Sequence, residues 1–384
     1  MRTNGPSPRE VKVTSIETIL VRAELDPPRG PSVLIYRHRE SLFIKLSTDA
    51  GIVGWGETYA MPGVEAAIRD GLAPMLIGLD VLSARSRHAN LRRATFDNGF
   101  AVGGVEIALA DAAARSLGIP LHALYGGAIR ERVQAYASLP GYYEDRDPES
   151  HWLEEAHSLR ERGFGALKFR IGRCPPRREA AVLAHVRDAL GNGVKLMADA
   201  NAAYSTAQAR RMAPALRDLD FDWLEEPLPQ TGYLGYPELR QRLELPLAGG
   251  EGLQSRTAAH ETLQRGCFDI IQPDVSICGG IGEVRFIGEL AQLSGVRCIP
   301  HCWGGAIMLA ATLQMCAVLS ETTRLAGSEA PMLEFDVTDN PFRTEVCRGE
   351  PFALSDGAVS VPTGPGLGID LDEDALRRYA AQSG

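Results

Sequence analysis

The sequence predicts an α/β chain: a (β/α)8-type, TIM-like barrel beginning after about residue 130, preceded by a separate α+β domain. Three observations predict it. A β-rich then helical texture fills the first 124 residues. Eight short apolar runs follow, each trailed by a polar turn and an amphipathic helical segment. Charged or polar residues recur in phase at the ends of those runs.

In the N-terminal part, Val11 to Ala23 alternates loosely, and Leu42, Ile44 and Leu46 share one face with period two. Asp49-Ala50-Gly51 turns the chain into Ile52-Val53-Gly54-Trp55-Gly56-Glu57. From Val64 to Leu124 the composition is helical, with Ala-rich stretches and a Gly-Ile-Pro stop at 118–120. Strands followed by helices suggest an α+β domain over residues 1–130.

The eight runs are Val133–Ser138, Ala166–Ile171, Lys195–Asp199, Phe221–Glu225, Leu245–Gly249, Asp269–Gln272, Val296–Pro300 and Arg324–Gly327, and they place a barrel over 131–350. A doubly wound open sheet is the main competitor, but no Gly-rich phosphate turn follows the first run. Gly364-Pro365-Gly366-Leu367-Gly368 lies outside any βαβ unit and reads as a structural turn.

Composition bounds the function. The 384 residues carry 40 Lys+Arg against 49 Asp+Glu, a formal net charge of −9, with 45% hydrophobic and 23% charged residues. That balance argues against nucleic acid as a partner. The uncharged stretch Cys302 to Ser320 reads as a buried barrel helix rather than a membrane span. The polar N-terminus has no apolar signal segment, and the seven cysteines form no CxxC pair. These features point to a cytoplasmic protein with reduced thiols.

The chemistry is carried by the run ends. Lys168 and Arg170 end the second run, Asp199 and Asn201 the third, and Glu225 the fourth. Glu251, Asp274, His301 and Glu329 follow the fifth to eighth, and from Asp199 onward the steps are 23–28 residues, about one β/α unit. Parallel strands would bring all of them to one rim, where barrel catalytic groups collect. Asp199, Glu225 and Glu251 would be neighbours whose mutual repulsion demands a cation. All-oxygen ligands favour Mg2+ before Mn2+ or Ca2+. Asp274 beside His301 would fix the imidazole tautomer and make a general base. Lys168 and Arg170, two apart on one strand, share the interior face. A guanidinium stays protonated, so Arg170 suits holding or polarising rather than proton abstraction.

Taken together, Lys-Phe-Arg at 168–170, Asp-Ala-Asn at 199–201, Glu-Glu-Pro at 225–227, Gly-Glu at 250–251, Gln-Pro-Asp at 272–274, Pro-His at 300–301 and Glu329 resemble the enolase superfamily, mandelate racemase/muconate lactonizing enzyme branch. Gly54-Trp55-Gly56-Glu57 and Pro120-Leu121…Tyr125-Gly126-Gly127 extend the resemblance to the N-terminal part. It implies that the α+β domain caps the barrel, with the C-terminal segment 351–384 returning to it. It implies Asp199, Glu225 and Glu251 as Mg2+ ligands, Asp274 and His301 as the catalytic dyad, Glu329 as an acid on the substrate carboxylate and Lys168 beside it. The shared reaction step is removal of the proton α to a carboxylate.

Cap loops at 25–39 and 59–63 would supply Arg29, Tyr36, Arg37 and His38 as substrate contacts, or leave them as plain surface residues. Asn201 and Trp303 are further candidate contacts. Within the branch, Pro300-His301-Cys302-Trp303 and the 334–343 tail look most like acid-sugar enzymes. The resemblance also implies a small carboxylate partner and a homo-oligomer.

One position departs from the branch. Racemases of this kind carry Lys-x-Lys on the second strand, where this chain has Arg170. The expected reaction is therefore one-sided: dehydration of a sugar acid or cycloisomerisation of its lactone, with a racemase or epimerase, or a non-catalytic metal-binding relative, as alternatives.

Overall fold

The computed structural model describes residues 10–139, 141–322 and 329–381. The chain starts as an antiparallel meander, Val13–Gly30, Tyr36–Thr48 and Val53–Thr58. Helix Gly99–Leu117 lies across its third strand. Asn98 caps the helix start by accepting from Ala101 N, and Gly118, at φ 68°, ends it in the left-handed region.

Gly54 and Gly56 permit this packing. A Cβ on Gly56 would stand 2.0 Å from Gly104 O, and one on Gly54 2.2 Å from Ala108 O. Glu57, next in the strand, is buried and accepts from Gly305 N (2.6 Å) and Met308 N (3.0 Å) at the start of helix Ala306–Val318. A carboxylate satisfying helix N-terminal amides ties the two parts of the chain together. The same helix is buried along nearly its whole length. No helix among the described residues is long and apolar enough to cross a membrane.

Eight parallel strands form the second part: Arg132–Ser138, Ala166–Arg170, Lys195–Asp199, Phe221–Glu225, Leu247–Gly249, Ile270–Ile271, Arg297–Cys298 and Leu333–Asp336. Ladder hydrogen bonds join the first through the seventh in chain order, and the eighth pairs with the first at Leu333↔Ala135. Between the seventh and eighth no ladder is present among the described residues. Their ends are tied instead by Cys302 N donating to Glu334 Oε2 at 3.2 Å. Tyr136, Ala166, Met197, Trp223, Ala248, Ile270, Ile299 and Met332 form one buried apolar cluster, with each strand or its immediate flank supplying one member. That layer is the floor on which the site stands.

The expected eighth run, Arg324–Gly327, lies outside the described residues, and the eighth strand is Leu333–Asp336. The C-terminal segment first adds Ala358–Ser360 antiparallel to the first barrel strand. The 364–368 turn then docks on the cap helix, where Leu367 N donates to Asp111 Oδ1 at 2.8 Å. Further on, Ala380 bridges to Val21 of the meander. The seven cysteines are all free.

Candidate active site

The side chains that end the barrel strands gather beneath the meander, around a cavity of about 400 Å3. Its lower wall is barrel: Arg170, Asn201, Glu251, His301 and Trp303. Its upper wall is cap: Arg29, Tyr36, Arg39, Tyr59 and Met61.

His301 follows the seventh strand, and its Nδ1 lies 2.8 Å from Asp274 Oδ2, just past the sixth. Asp274 is fully buried, and its Oδ1 accepts from both Ser276 N (2.7 Å) and Ser276 Oγ (2.8 Å). Tyr59, from the cap, donates to Asp274 Oδ2 at 3.1 Å. With Nδ1 engaged, His301 presents Nε2 toward Glu251 Oε2 (3.5 Å) and Glu334 Oε2 (4.0 Å). Burial opposes a charged imidazole here, but Glu251, Glu334 and Asp274 outweigh it and hold the His301 pKa up at about 10.

Lys168 is wholly buried on the second strand, with Nζ 2.6 Å from Glu225 Oε1 and 3.8 Å from Asp199 Oδ2. It also lies 2.7 Å from Glu334 Oε1. Burial alone would lower its pKa, yet the three carboxylates raise it. Arg170 donates from Nη1 to Asn201 Oδ1 (3.1 Å) and from Nε to Leu139 O (3.3 Å), and Nη1 reaches Asp199 Oδ2 at 3.5 Å.

Asp199 and Glu225 stand directly opposite each other on adjacent strands, and Glu251 follows the next strand. Burial and the neighbouring Glu225 push the Asp199 pKa up to about 7 despite Lys168 and Arg170, and Glu251 adds to the rise. Glu226 is raised well above the carboxylate range by burial and by Glu251. The chain crowds more carboxylates here than its own cations neutralise, and that donor set is all oxygen, so a hard divalent ion fits it. In the arrangement seen, Glu251 faces Gln230 Nε2 (3.5 Å) and His301, and no three His, Cys, Asp or Glu side chains among the described residues converge as a finished metal cage. Backbone turns in the left-handed region follow the third and fourth strands, at Asn201 (φ 44°), Ala202 (φ 61°) and Glu226 (φ 35°).

Several sequence expectations need correction. Glu329 is not in the mouth: its carboxylate, 45% exposed, pairs with Arg297 Nε at 3.2 Å, beside the first residue of the seventh strand. The acid that enters the mouth from the eighth strand is Glu334, fully buried, with its pKa pulled down to about 2 because Lys168 and His301 overcome the effect of burial. His38 is exposed and outside the cavity lining, and Arg37 is exposed and paired with Glu144.

Arg39 takes the place expected of them. Its guanidinium lies 4.4 Å from the Trp303 ring centroid and bonds Asp336 Oδ2 (2.5 Å) and Thr338 Oγ1 (2.8 Å). Tyr36 also packs on Trp303, with ring centroids 5.6 Å apart. Tyr36 and Arg39 both line the cavity, and nearby the pairing with the first strand slips between Glu24↔His38 and Arg29↔Tyr36. Sequence reasoning also missed Tyr59, Gln230 and Glu334. For Glu334, the signal was an acid inside an apolar strand, Leu333-Glu334-Phe335, rather than at its end.

A strand-end site of buried acids, a His–Asp pair and inward cations under a cap defines a class of barrel enzyme. Known proteins resolve the class further. Residues 15–126 match the mandelate racemase/muconate lactonizing enzyme N-terminal domain, and 151–375 match the enolase C-terminal domain-like model. The chain belongs to the mandelate racemase/muconate lactonizing enzyme family of the enolase superfamily, and it is an enzyme of that superfamily.

It is 35% identical to a D-galactarolactone cycloisomerase of Agrobacterium fabrum over 96% of this chain and 99% of that one. It is 32% identical to a D-galactonate dehydratase of Pectobacterium atrosepticum over 87% and 90% of the two chains. The crystal structure of a 3,6-anhydro-D-galactonate cycloisomerase from Zobellia galactanivorans superposes with a TM-score of 0.86 at 30% identity, covering 97% and 100%. A racemase from Streptomyces coelicolor A3(2) with bound magnesium superposes at 0.85 with 25% identity, covering 96% and 100%.

Proposed function

We propose that this chain abstracts the proton α to the carboxylate of a sugar acid or its lactone, and then expels a β-oxygen leaving group, with Mg2+ (or Mn2+) as cofactor. The observation that carries the reading is the His301–Asp274 pair facing the same cavity as Arg170, with Lys168 buried among the acids beside it. Asp199, Glu225 and Glu251 would hold the ion, which supplies positive charge to the substrate carboxylate as its α-carbon loses a proton.

His301 accepts the α-proton at Nε2. Asp274 fixes Nδ1–H as the donor and stabilises the imidazolium that forms. Lys168 and Arg170 border the position of the substrate carboxylate, where their fixed positive charges favour the negative charge that develops, and Glu334 holds Lys168 in place. The C–H electron pair moves into the carboxylate as an enediolate and returns to form a Cα–Cβ double bond while the Cβ–O bond breaks. His301 gives its proton to the departing oxygen. A departing hydroxyl leaves as water, and the enol becomes a 2-keto-3-deoxy acid. A departing lactone ring oxygen opens the ring without loss of water, and the enol becomes an open-chain keto acid isomeric with the lactone.

Arg170 favours elimination over racemisation. A guanidinium cannot exchange a proton on the second face of the α-carbon at working pH. The relatives support sugar acids as the substrate class, since they include one named for a lactone and one for an aldonate. The test is incubation with Mg2+ and a panel of aldonic and aldaric acids and their lactones in D2O. Formation of a keto acid is expected, with release of water from an acid or with ring opening of a lactone. An inverted, α-deuterated acid without loss of water would replace elimination by racemisation. Absence of both turnover and exchange across the panel would leave a non-catalytic relative.

A further inference from the structure

Glu179 is a buried carboxylate that the proposed chemistry does not use. It lies in the first turn of the helix Pro176–Leu190, after the second barrel strand, and is 1% exposed. Its oxygens accept from Gly172 N (3.0 Å), Cys174 N (2.9 Å), Tyr204 Oη (3.0 Å) and Tyr142 Oη. All of these groups donate, so Glu179 sits there as a carboxylate, yet none of them is a cation. A buried anion held by neutral donors is costly, and those hydrogen bonds are what make it tolerable.

The donors come from the ends of three successive barrel strands. Tyr142 lies past the first, Gly172 and Cys174 past the second, and Tyr204 past the third. Two of these strand ends also hold the guanidinium of Arg170. Leu139 O, past the first strand, accepts from Nε at 3.3 Å, and Asn201 Oδ1, past the third, accepts from Nη1 at 3.1 Å. Gly141, beside Tyr142, packs on the same side chain, since a Cβ there would stand 2.9 Å from Arg170 Cδ. A planar guanidinium fixed by acceptors on both sides keeps one orientation, and one that loses them regains its rotamer freedom.

We propose that Glu179 is the positioning residue for Arg170. It ties the segments after the first three strands together, so that Leu139 and Asn201 hold the guanidinium toward the substrate carboxylate. This deepens the reading above and rests on it, because it takes Arg170 to border that carboxylate.

The test reads Arg170 directly in Glu179→Gln, which keeps the shape of the side chain but sets donor against donor. Hydrogen exchange at the Arg170 Nε–H, followed by NMR and assigned by its loss in Arg170→Lys, should speed up by about tenfold. Arg187 is the control, because it lies on the same helix as Glu179 and its Nε donates to Leu219 O at 2.8 Å. Its exchange should hold within about twofold. Both signals loosening alike, or neither, would overturn the inference. Kinetics with Mg2+ on D-galactonate and D-galactarolactone gives a second readout. Glu179→Gln should raise KM by about tenfold, with a smaller fall in kcat. In an Arg170→Met background the same substitution should change KM by no more than about twofold, since the group it acts through is gone. Equal effects with and without Arg170 would overturn the inference and leave the sugar-acid reading standing. Turnover of neither compound, with the Arg170 signal still loosened by the variant, would count against that reading and leave the positioning role standing. If Glu179→Gln does not fold, Tyr204→Phe removes one donor, keeps the carboxylate and should move the same readouts the same way by a smaller factor.

Discussion

Lys168 and Glu334, on the second and eighth barrel strands, meet across the barrel mouth with Nζ and Oε1 2.7 Å apart. Glu334 thereby connects Lys168 to His301, whose Nε2 lies 4.0 Å from its other oxygen. Removing that charge disturbs both partners. Glu334→Gln is expected to lower kcat/KM by about 100-fold or more, the scale of losing one fixed electrostatic contact in a transition state. Glu329→Gln, on the surface beside Arg297, should leave kcat/KM within about twofold. Steady-state kinetics on the two variants checks both, and the reverse order would return Glu329 to the site.

At the proposed metal site, protons and Mg2+ would compete for the same oxygens. Asp199 is held up at about 7 in the metal-free chain, so it carries a proton below that pH that the ion must displace. Magnesium affinity should therefore climb as pH rises toward 7 and level off above it, by about tenfold per unit for one proton released. Calorimetric titration with MgCl2 from pH 5.5 to 8.5 measures the slope. Glu251→Gln should weaken binding at every pH, and EDTA should abolish turnover. A flat profile would remove Asp199 from the ligand set.

His301 titrates near 10 because acids surround it. An added divalent cation among those acids opposes its charged form, so saturating Mg2+ should lower the pKa toward neutrality, where the base is needed. The sign for stability follows from the raised value. Without metal, the charged imidazole contributes stability that is complete below its unfolded pKa near 6.5 and lost as pH rises through about 10. NMR of the imidazole with and without Mg2+ reads the shift directly. An unchanged pKa would mean that the ion binds elsewhere.

Gly56 tests the fit of cap strand to cap helix. An alanine there would put Cβ 2.0 Å from Gly104 O, a backbone atom, so the helix must move. Gly56→Ala should destabilise by about 3 kcal/mol, at the upper end of overpacking. Denaturant unfolding measures it. A Cβ on Gly51 meets nothing within 4 Å, but φ 74° still favours glycine there, so Gly51→Ala should destabilise by about 1 kcal/mol.

Much of the barrel was legible because its strands declare themselves twice, by apolar runs and by the polar residue that ends each. Lys195–Asp199 and Phe221–Glu225 have the same bounds in sequence and in structure. The eighth strand broke the pattern. Its acid, Glu334, lies inside the strand and is fully buried, whereas the periodicity of run-ending acids points to Glu329. The cap contacts were less legible still. Strand alternation would put Tyr36 and His38 on one face, yet the cavity takes Tyr36 and Arg39.

The sequence by itself determined which chemical groups this protein owns and how they are spaced. A regular β/α repeat converts chain separation into angular position around one axis, so residues one repeat apart become neighbours without any detailed packing. The tertiary structure alone decided which of two nearby acids enters the mouth and which cap side chains reach down to meet it. Those outcomes depend on burial and on contacts between residues hundreds of positions apart, and local periodicity carries no record of them.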